Sequence, residues 1–184
     1  MARVLVLYGS TEGQTATIAE RIAEVLVSAG HDSTLLHGNR VPDRFRLSEY
    51  DAAIVGASIH RGKHQRYITE FVREHADELN RLPSAFFSVS LTAAEDTDEA
   101  RATAENLVTK FLADTGWNPD RTAVVAGALK YSRYGLLTRL LMKYVATKAG
   151  GGTDTSCDYE YTDWDEVEVF ATSFARSLST RDDG

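Results

Sequence analysis

The sequence predicts an α/β domain built on a doubly wound parallel sheet of five strands, with helices on both faces. Strand-like and helix-like segments alternate along its 184 residues. The strand-like runs are continuously apolar, as strands buried on both faces are, and lack the polar/apolar alternation of a half-exposed sheet. Each of the first runs also ends at small residues, where a chain can turn away from a sheet edge.

Val4 to Tyr8 is a β-branched-rich run ended by Gly9, and reads as a buried strand. Ile18, Ile22, Val25, Leu26 and Ala29 then share one helical face that Gly30 closes. "HDSTLLH" and "AAIVGAS" are the second and third strands. Ile68, Phe71, Val72, His75 and Leu79 mark the next helix, and "SAFFSVSL" the fourth strand. Ala104, Leu107, Val108, Phe111 and Leu112 form another helical stripe, followed by "TAVVAGAL" as the fifth strand. The closing helix carries Val167, Phe170, Ala171, Phe174 and Leu178, but begins only after a long intervening stretch. Within that stretch "CDYEYTDW" predicts a short edge strand, with Thr162 or Asp163 as the helix cap. The expected organisation is one domain over 1–178, with an insertion at about 129–157 and a frayed tail over 179–184.

Composition removes several classes. The net charge of −7 disfavours a nucleic-acid partner, because phosphate contacts want a basic face. A single cysteine, Cys157, forms no internal disulfide and no metal or redox pair. The N-terminus lacks the apolar region and cleavage site of a signal peptide, and no apolar run approaches the roughly 20 residues of a membrane span. No GxSxG elbow supports a serine hydrolase. His31, His37 and His75 read as structural positions.

The loop Ser10-Thr11-Glu12-Gly13-Gln14-Thr15 carries the first chemical signal. In a doubly wound sheet ligands bind at the carboxyl ends of the strands, and the first strand–helix loop lies there. This loop opens a helix, so free backbone N–H groups and the positive end of the helix dipole point into it, and three hydroxyls add donors. Such a cradle suits a phosphate monoester, with Glu12 turned outward because a carboxylate would repel the anion. Gln14 stands where a Walker A loop needs lysine, and the GxGxxG dinucleotide pattern is absent. An ordinary helix cap without a ligand is the alternative.

The S-T-E-G-Q-T loop resembles the FMN-phosphate loop of flavodoxins, whose usual form is [ST]-x-T-G-x-T. "GASIH", "LPSAFFSVSL", "WNPDRTAVVAGALKYSRY", "GGTDT" and "YTDW" resemble, in order and over nearly the whole chain, the flavodoxin-like menaquinone-dependent protoporphyrinogen dehydrogenases of bacterial haem synthesis. The resemblance implies a sheet of order 2-1-3-4-5 and FMN as cofactor. It implies oxidation of protoporphyrinogen IX to protoporphyrin IX with a membrane quinone as acceptor, in the cytoplasm. A flavodoxin-type electron carrier and an NAD(P)H:quinone reductase are the competing readings.

On this resemblance the flavin ring lies against the loops after the third and fourth strands. The cofactor-binding residues are then Ser10 to Thr15, Ala57, Ser58, Ile59 and His60, with Ser88, Val89, Ser90, Leu91 and Thr92. Simple flavodoxins generally sandwich the ring between aromatic side chains, and neither loop here contains one. A more open ring face favours two-electron exchange with a docked organic substrate. Beside it "SIHRGKHQR" clusters cations that are either solvated or steer the propionates of a porphyrinogen. Arg61, Lys63 and His64 are the substrate candidates there, with Lys130 and Arg133 from the insertion. His60 is the candidate proton carrier, and zinc binding by His60 and His64 is unsupported because no cysteine or carboxylate lies near.

Lys130, Arg133, Arg139, Lys143 and Lys148 fall in a stretch without an acidic residue. Tyr134, Leu137, Leu140, Leu141, Tyr144 and Val145 share the apolar face of a helical wheel there. This insertion either packs on the sheet with its cations in water or rests on an anionic membrane surface, where a quinone is reached.

Overall fold

The computed structural model describes residues 1–95, 97–129 and 159–182. Five strands, β1 (Arg3–Gly9), β2 (Asp32–His37), β3 (Ala52–His60), β5 (Ser84–Ser90) and β6 (Arg121–Ala126), form a parallel sheet of order β2-β1-β3-β5-β6. This is the expected 2-1-3-4-5 winding. The extra label arises from β4 (Lys63–His64), a two-residue strand that folds back antiparallel on the end of β3.

Strand residues alternate between two cores. Val4 and Val6 of β1 face one side with α1 (Gln14–Ser28) and the closing helix α5 (Trp164–Asp182), in a cluster that includes Ile18, Ile22, Phe87, Ala171 and Phe174. Leu5 and Leu7 face the other side. There they meet Ile68, Phe71 and Val72 of α2 (Arg66–Glu74), Leu79 of α3 (Ala76–Leu79) and Val108 and Phe111 of α4 (Asp98–Thr115). Burial on both faces is why these strands read as unbroken apolar runs.

Local signals set the helix ends. His31 N–H reaches Leu26 O and Gly30 N–H reaches Val27 O, which is the closing pair expected after α1. Thr97 Oγ1 accepts from Ala100 N–H at 3.1 Å at the start of α4. Of the two candidate caps for α5, Asp163 serves: its Oδ1 accepts from the N–H groups of Asp165 and Glu166. Thr162 instead donates to Ala126 O at 2.9 Å, tying the start of α5 to the end of β6.

Three expectations are corrected. The helix predicted through Leu79 is interrupted at His75, whose backbone (φ −108°, ψ 12°) leaves helical geometry. Of the tail expected from 179, the part to Asp182 is helical, with Ser177 and Thr180 hydroxyls bonding back along the helix. "TAVVAGAL" splits into β6 and the short β7 (Ala128–Leu129), which pairs antiparallel with β8 (Tyr159–Glu160). Lys130, Arg133, the basic wheel, Gly150 to Gly152, Thr153, Asp154 and Cys157 lie outside the described residues. No described helix is long and apolar enough to cross a membrane.

Candidate functional site

The carboxyl ends of β1, β3, β5 and β6 open into one cavity of about 550 Å³, the size class of small-molecule and cofactor sites. The loop after β1 supplies Ser10, Thr11, Glu12, Gln14 and Thr15 to its lining, so Glu12, expected to turn outward, is instead half-buried among the lining residues. The end of β3 and the following turn supply Ser58, Ile59, His60, Arg61 and Gly62. Val89, Ser90, Leu91 and Thr92 close it from β5, and Gly127 and Ala128 from the turn after β6. A parallel sheet puts all these loops at the same edge, which is why residues so distant in sequence share one hollow.

At the mouth of α1, Gly13 takes the left-handed conformation (φ 95°), no side chain among the described residues caps the helix, and its first turn contains no acidic residue. The first helical bond runs from Thr17 N–H to Gly13 O, so the N–H groups of Gln14, Thr15 and Ala16 precede the ladder and have no partner within it. Ser10 Oγ accepts from Gly13 N–H at 2.9 Å and sets the curl of the loop. Gln14 is buried and points away from the mouth, donating to Thr162 Oγ1 at 2.9 Å and Glu160 Oε1 at 3.1 Å. Neutral donors and a helix dipole at this place form an anion cradle.

Opposite the cradle, His60 pairs with Lys63 across the two-residue turn Arg61-Gly62, both of whose residues have positive φ (51° and 74°). This is the turn geometry that matches the twist of an antiparallel hairpin. It holds His60, Arg61 and Lys63 exposed to solvent beside the cavity.

Other expected site residues lie elsewhere. Ala57 and Ser88 are buried in the sheet and do not line the cavity. His64 departs from the substrate cluster: its Nε2 lies 2.8 Å from Ser88 Oγ and its ring packs edge-on against Phe86 and Phe111. Burial lowers its pKa to about 4, so it is neutral near pH 7 and adds no charge to the cationic rim. Arg66 pairs with Glu70 on its own helix at 2.7 Å.

Sequence reasoning missed Gly127 and Ala128, although their place after the fifth strand would have found them by the same edge rule that found the first loop. It also missed Gln65, whose side chain reaches both Ser58 and Thr11 and which no motif marks. Tyr67, partly buried, stacks on His37; burial raises its pKa, and a hydrogen bond with the Ser10 backbone works the other way.

The chain matches the flavodoxin domain model over residues 5–156. It is similar to the protoporphyrinogen IX dehydrogenase [quinone] of Escherichia coli (strain K12), with 38% identity over 173 residues covering 94% of each chain. The Leishmania major protein of the same name is 37% identical over 177 residues, covering 94% of this chain and 74% of that one. Among solved structures, a flavodoxin from the domain Archaea superposes with a TM-score of 0.56 at 19% identity, covering 96% of this chain and 99% of the other. With the cavity edge, the winding order and these likenesses in agreement, the chain belongs to the flavodoxin domain family and, within it, to the quinone-dependent protoporphyrinogen IX dehydrogenases.

Proposed function

We propose that the chain is an FMN-dependent oxidoreductase that oxidises protoporphyrinogen IX to protoporphyrin IX and delivers the electrons to a membrane quinone. The observation that carries this reading is the anion cradle at the uncapped mouth of α1, opening into a cavity of cofactor size. The donor set fits a phosphate monoester: the N–H groups of Gln14, Thr15 and Ala16 and the hydroxyls of Thr11 and Thr15 grip it without a lysine. Ser58 to His60 and Val89 to Thr92 would flank the ring, offering backbone groups and small side chains.

When bound, the flavin supplies the two-electron redox chemistry. The chain's own residues position the substrate. No Phe, Tyr or Trp among the described residues lines the cavity, so the described walls offer the ring no aromatic stacking partner. Arg61 and Lys63 hold the propionates at the rim, an electrostatic contact between exposed cations and an anionic substrate. His60, exposed beside them, takes up a proton released as the substrate is oxidised.

Lys130 and Arg133, outside the described residues, are the further substrate contacts of this reading. The segment at about 129–157 rests on the cytoplasmic face of the membrane, where its cations meet anionic head groups. The test is a visible spectrum of the protein reconstituted with FMN, followed by anaerobic turnover of protoporphyrinogen IX with a menaquinone analogue. A bound flavin spectrum and porphyrin formation that depends on the quinone are expected. A protein that retains no flavin, or a loaded protein that forms no porphyrin, overturns the reading.

A further inference from the structure

Gln65 stands behind the cavity wall, at the start of α2, and does not line the cavity itself. Its Oε1 accepts from Ser58 N–H at 3.0 Å. Its Nε2 donates to Ser58 Oγ, and to Thr11 Oγ1 at 3.4 Å. One amide thus joins the loop after β1 to the end of β3, two neighbouring walls of the cavity. Gly9 leaves room for it: a Cβ there would lie 2.9 Å from Gln65 Oε1 and 2.6 Å from Ile68 Cγ1.

The orientation of this amide is set by its surroundings. Ser58 N–H is a donor with no alternative role, so the group facing it is the carbonyl oxygen, and the NH2 group faces the two hydroxyls. Each hydroxyl has one hydrogen and two lone pairs. Once the amide donates to both oxygens, both hydroxyl hydrogens are left to point elsewhere. Ser58 and Thr11 line the cavity, so that direction is the ligand's.

We propose that Gln65 is a positioning residue that sets hydrogen-bond polarity, turning Ser58 and Thr11 into donors toward the bound flavin nucleotide. The inference rests on the flavin reading above and adds to it a residue outside the cavity lining. A carboxylate in the same place keeps the bond to Ser58 N–H but has no hydrogen to give. Both hydroxyls then donate backward to it and present lone pairs to the ligand. Gln65→Glu is therefore a near-isosteric change that inverts the site's polarity.

The experiment titrates the full chain with FMN and with riboflavin, following quenching of flavin fluorescence, for Gln65→Glu and Gln65→Met. Riboflavin lacks the phosphate, so simple charge repulsion does not act on it. Each substitution is also made in a chain carrying Thr11→Val and Ser58→Ala. Gln65→Glu is expected to weaken riboflavin about tenfold, the scale of one good hydrogen bond, and Gln65→Met less. Without the two hydroxyls, neither substitution changes affinity by more than about twofold.

A Gln65→Glu chain that binds riboflavin like the wild type overturns the proposal, because a purely structural role is best rescued by the residue most like glutamine. A loss that persists in the absence of both hydroxyls overturns it as well. If Gln65→Glu does not fold, or riboflavin is too weak to titrate, the uncharged Gln65→Met with FMN supplies the same comparison of backgrounds. A wild-type chain that binds neither flavin removes the proposed function itself, a different failure from either of these.

Discussion

His64 predicts a pH dependence of stability that belongs to one side chain. Its imidazole is held at about 4 in the folded chain by burial among Phe86, Phe111 and the sheet, against 6.5 for the exposed group. Between these values the unfolded chain takes up a proton that the folded chain refuses, so stability rises with pH across the window and falls as pH drops from 6.5 toward 4. Going from about pH 7.5 to about pH 5, linkage gives a loss of about 2 kcal/mol, and below both values about 3 kcal/mol. Urea unfolding followed by tryptophan fluorescence measures this directly. His64→Gln retains a polar group for Ser88 and has no proton to gain. The acid-induced loss should shrink by about 2 kcal/mol in that variant, while the difference between the two chains stays constant above about pH 7. Equal losses in the two chains would refute the placement of His64, and would return it to the exposed cationic rim.

Gly56 lies beside Phe87 in the β3–β5 register, and a Cβ there would overlap the ring tip of Phe87, 2.5 Å from Cε2 and nearer still to Cζ. Phe87 is fully buried and cannot withdraw, so Gly56→Ala should cost about 3 kcal/mol by overpacking; a variant within about 1 kcal/mol of wild type in urea unfolding would contradict that packing. Arg61 holds a left-handed backbone (φ 51°), so Arg61→Gly should gain about 1 kcal/mol of stability while raising KM for protoporphyrinogen severalfold at unchanged kcat. An unaltered KM would remove Arg61 from substrate recognition. Deleting 131–148 should abolish sedimentation with anionic vesicles and slow turnover with a lipid-soluble quinone; if both persist, the membrane proposal fails.

The architecture was legible because its signals are local and redundant. Val4 to Leu7 are all apolar since the sheet is covered on both sides, and α1 is bracketed by Gly13 and by the Gly30 turn. The first loop was legible as well, because a helix start shortly after a buried strand has few other fates. What escaped depends on contacts between distant residues. Arg61-Gly62 forms a tight turn without the asparagine or aspartate that usually announces one, and the resulting hairpin turns His64 inward while leaving Lys63 out. Nothing in "RGKHQR" distinguishes those two directions until β5 and α4 supply Ser88, Phe86 and Phe111 as the walls of a pocket. Gln65 is invisible for the same reason: its meaning lies in Thr11, far along the chain.

The site's economy in charged groups follows from where it sits. A cavity at the edge of a buried parallel sheet is walled by strand ends, so its nearest polar groups are main-chain amides and the small hydroxyls that strand-end loops tolerate. Such groups hold an anion without a balancing lysine because the helix dipole and uncommitted N–H groups already favour negative charge. Gln14 illustrates the division of labour: a lysine at that position would reach into the cradle, whereas glutamine turns back to bind Thr162 and Glu160 and fastens α1 to the segment leading into α5. Among the described residues, Arg61 and Lys63 are exposed beside the cavity, where in the proposed arrangement they would meet the substrate's carboxylates before the macrocycle reaches the interior. A charged interior would bind the cofactor's phosphate and the substrate's propionates alike. In the proposed arrangement, neutral donors at the mouth of α1 and cations at the rim would let one small domain tell its two anionic ligands apart.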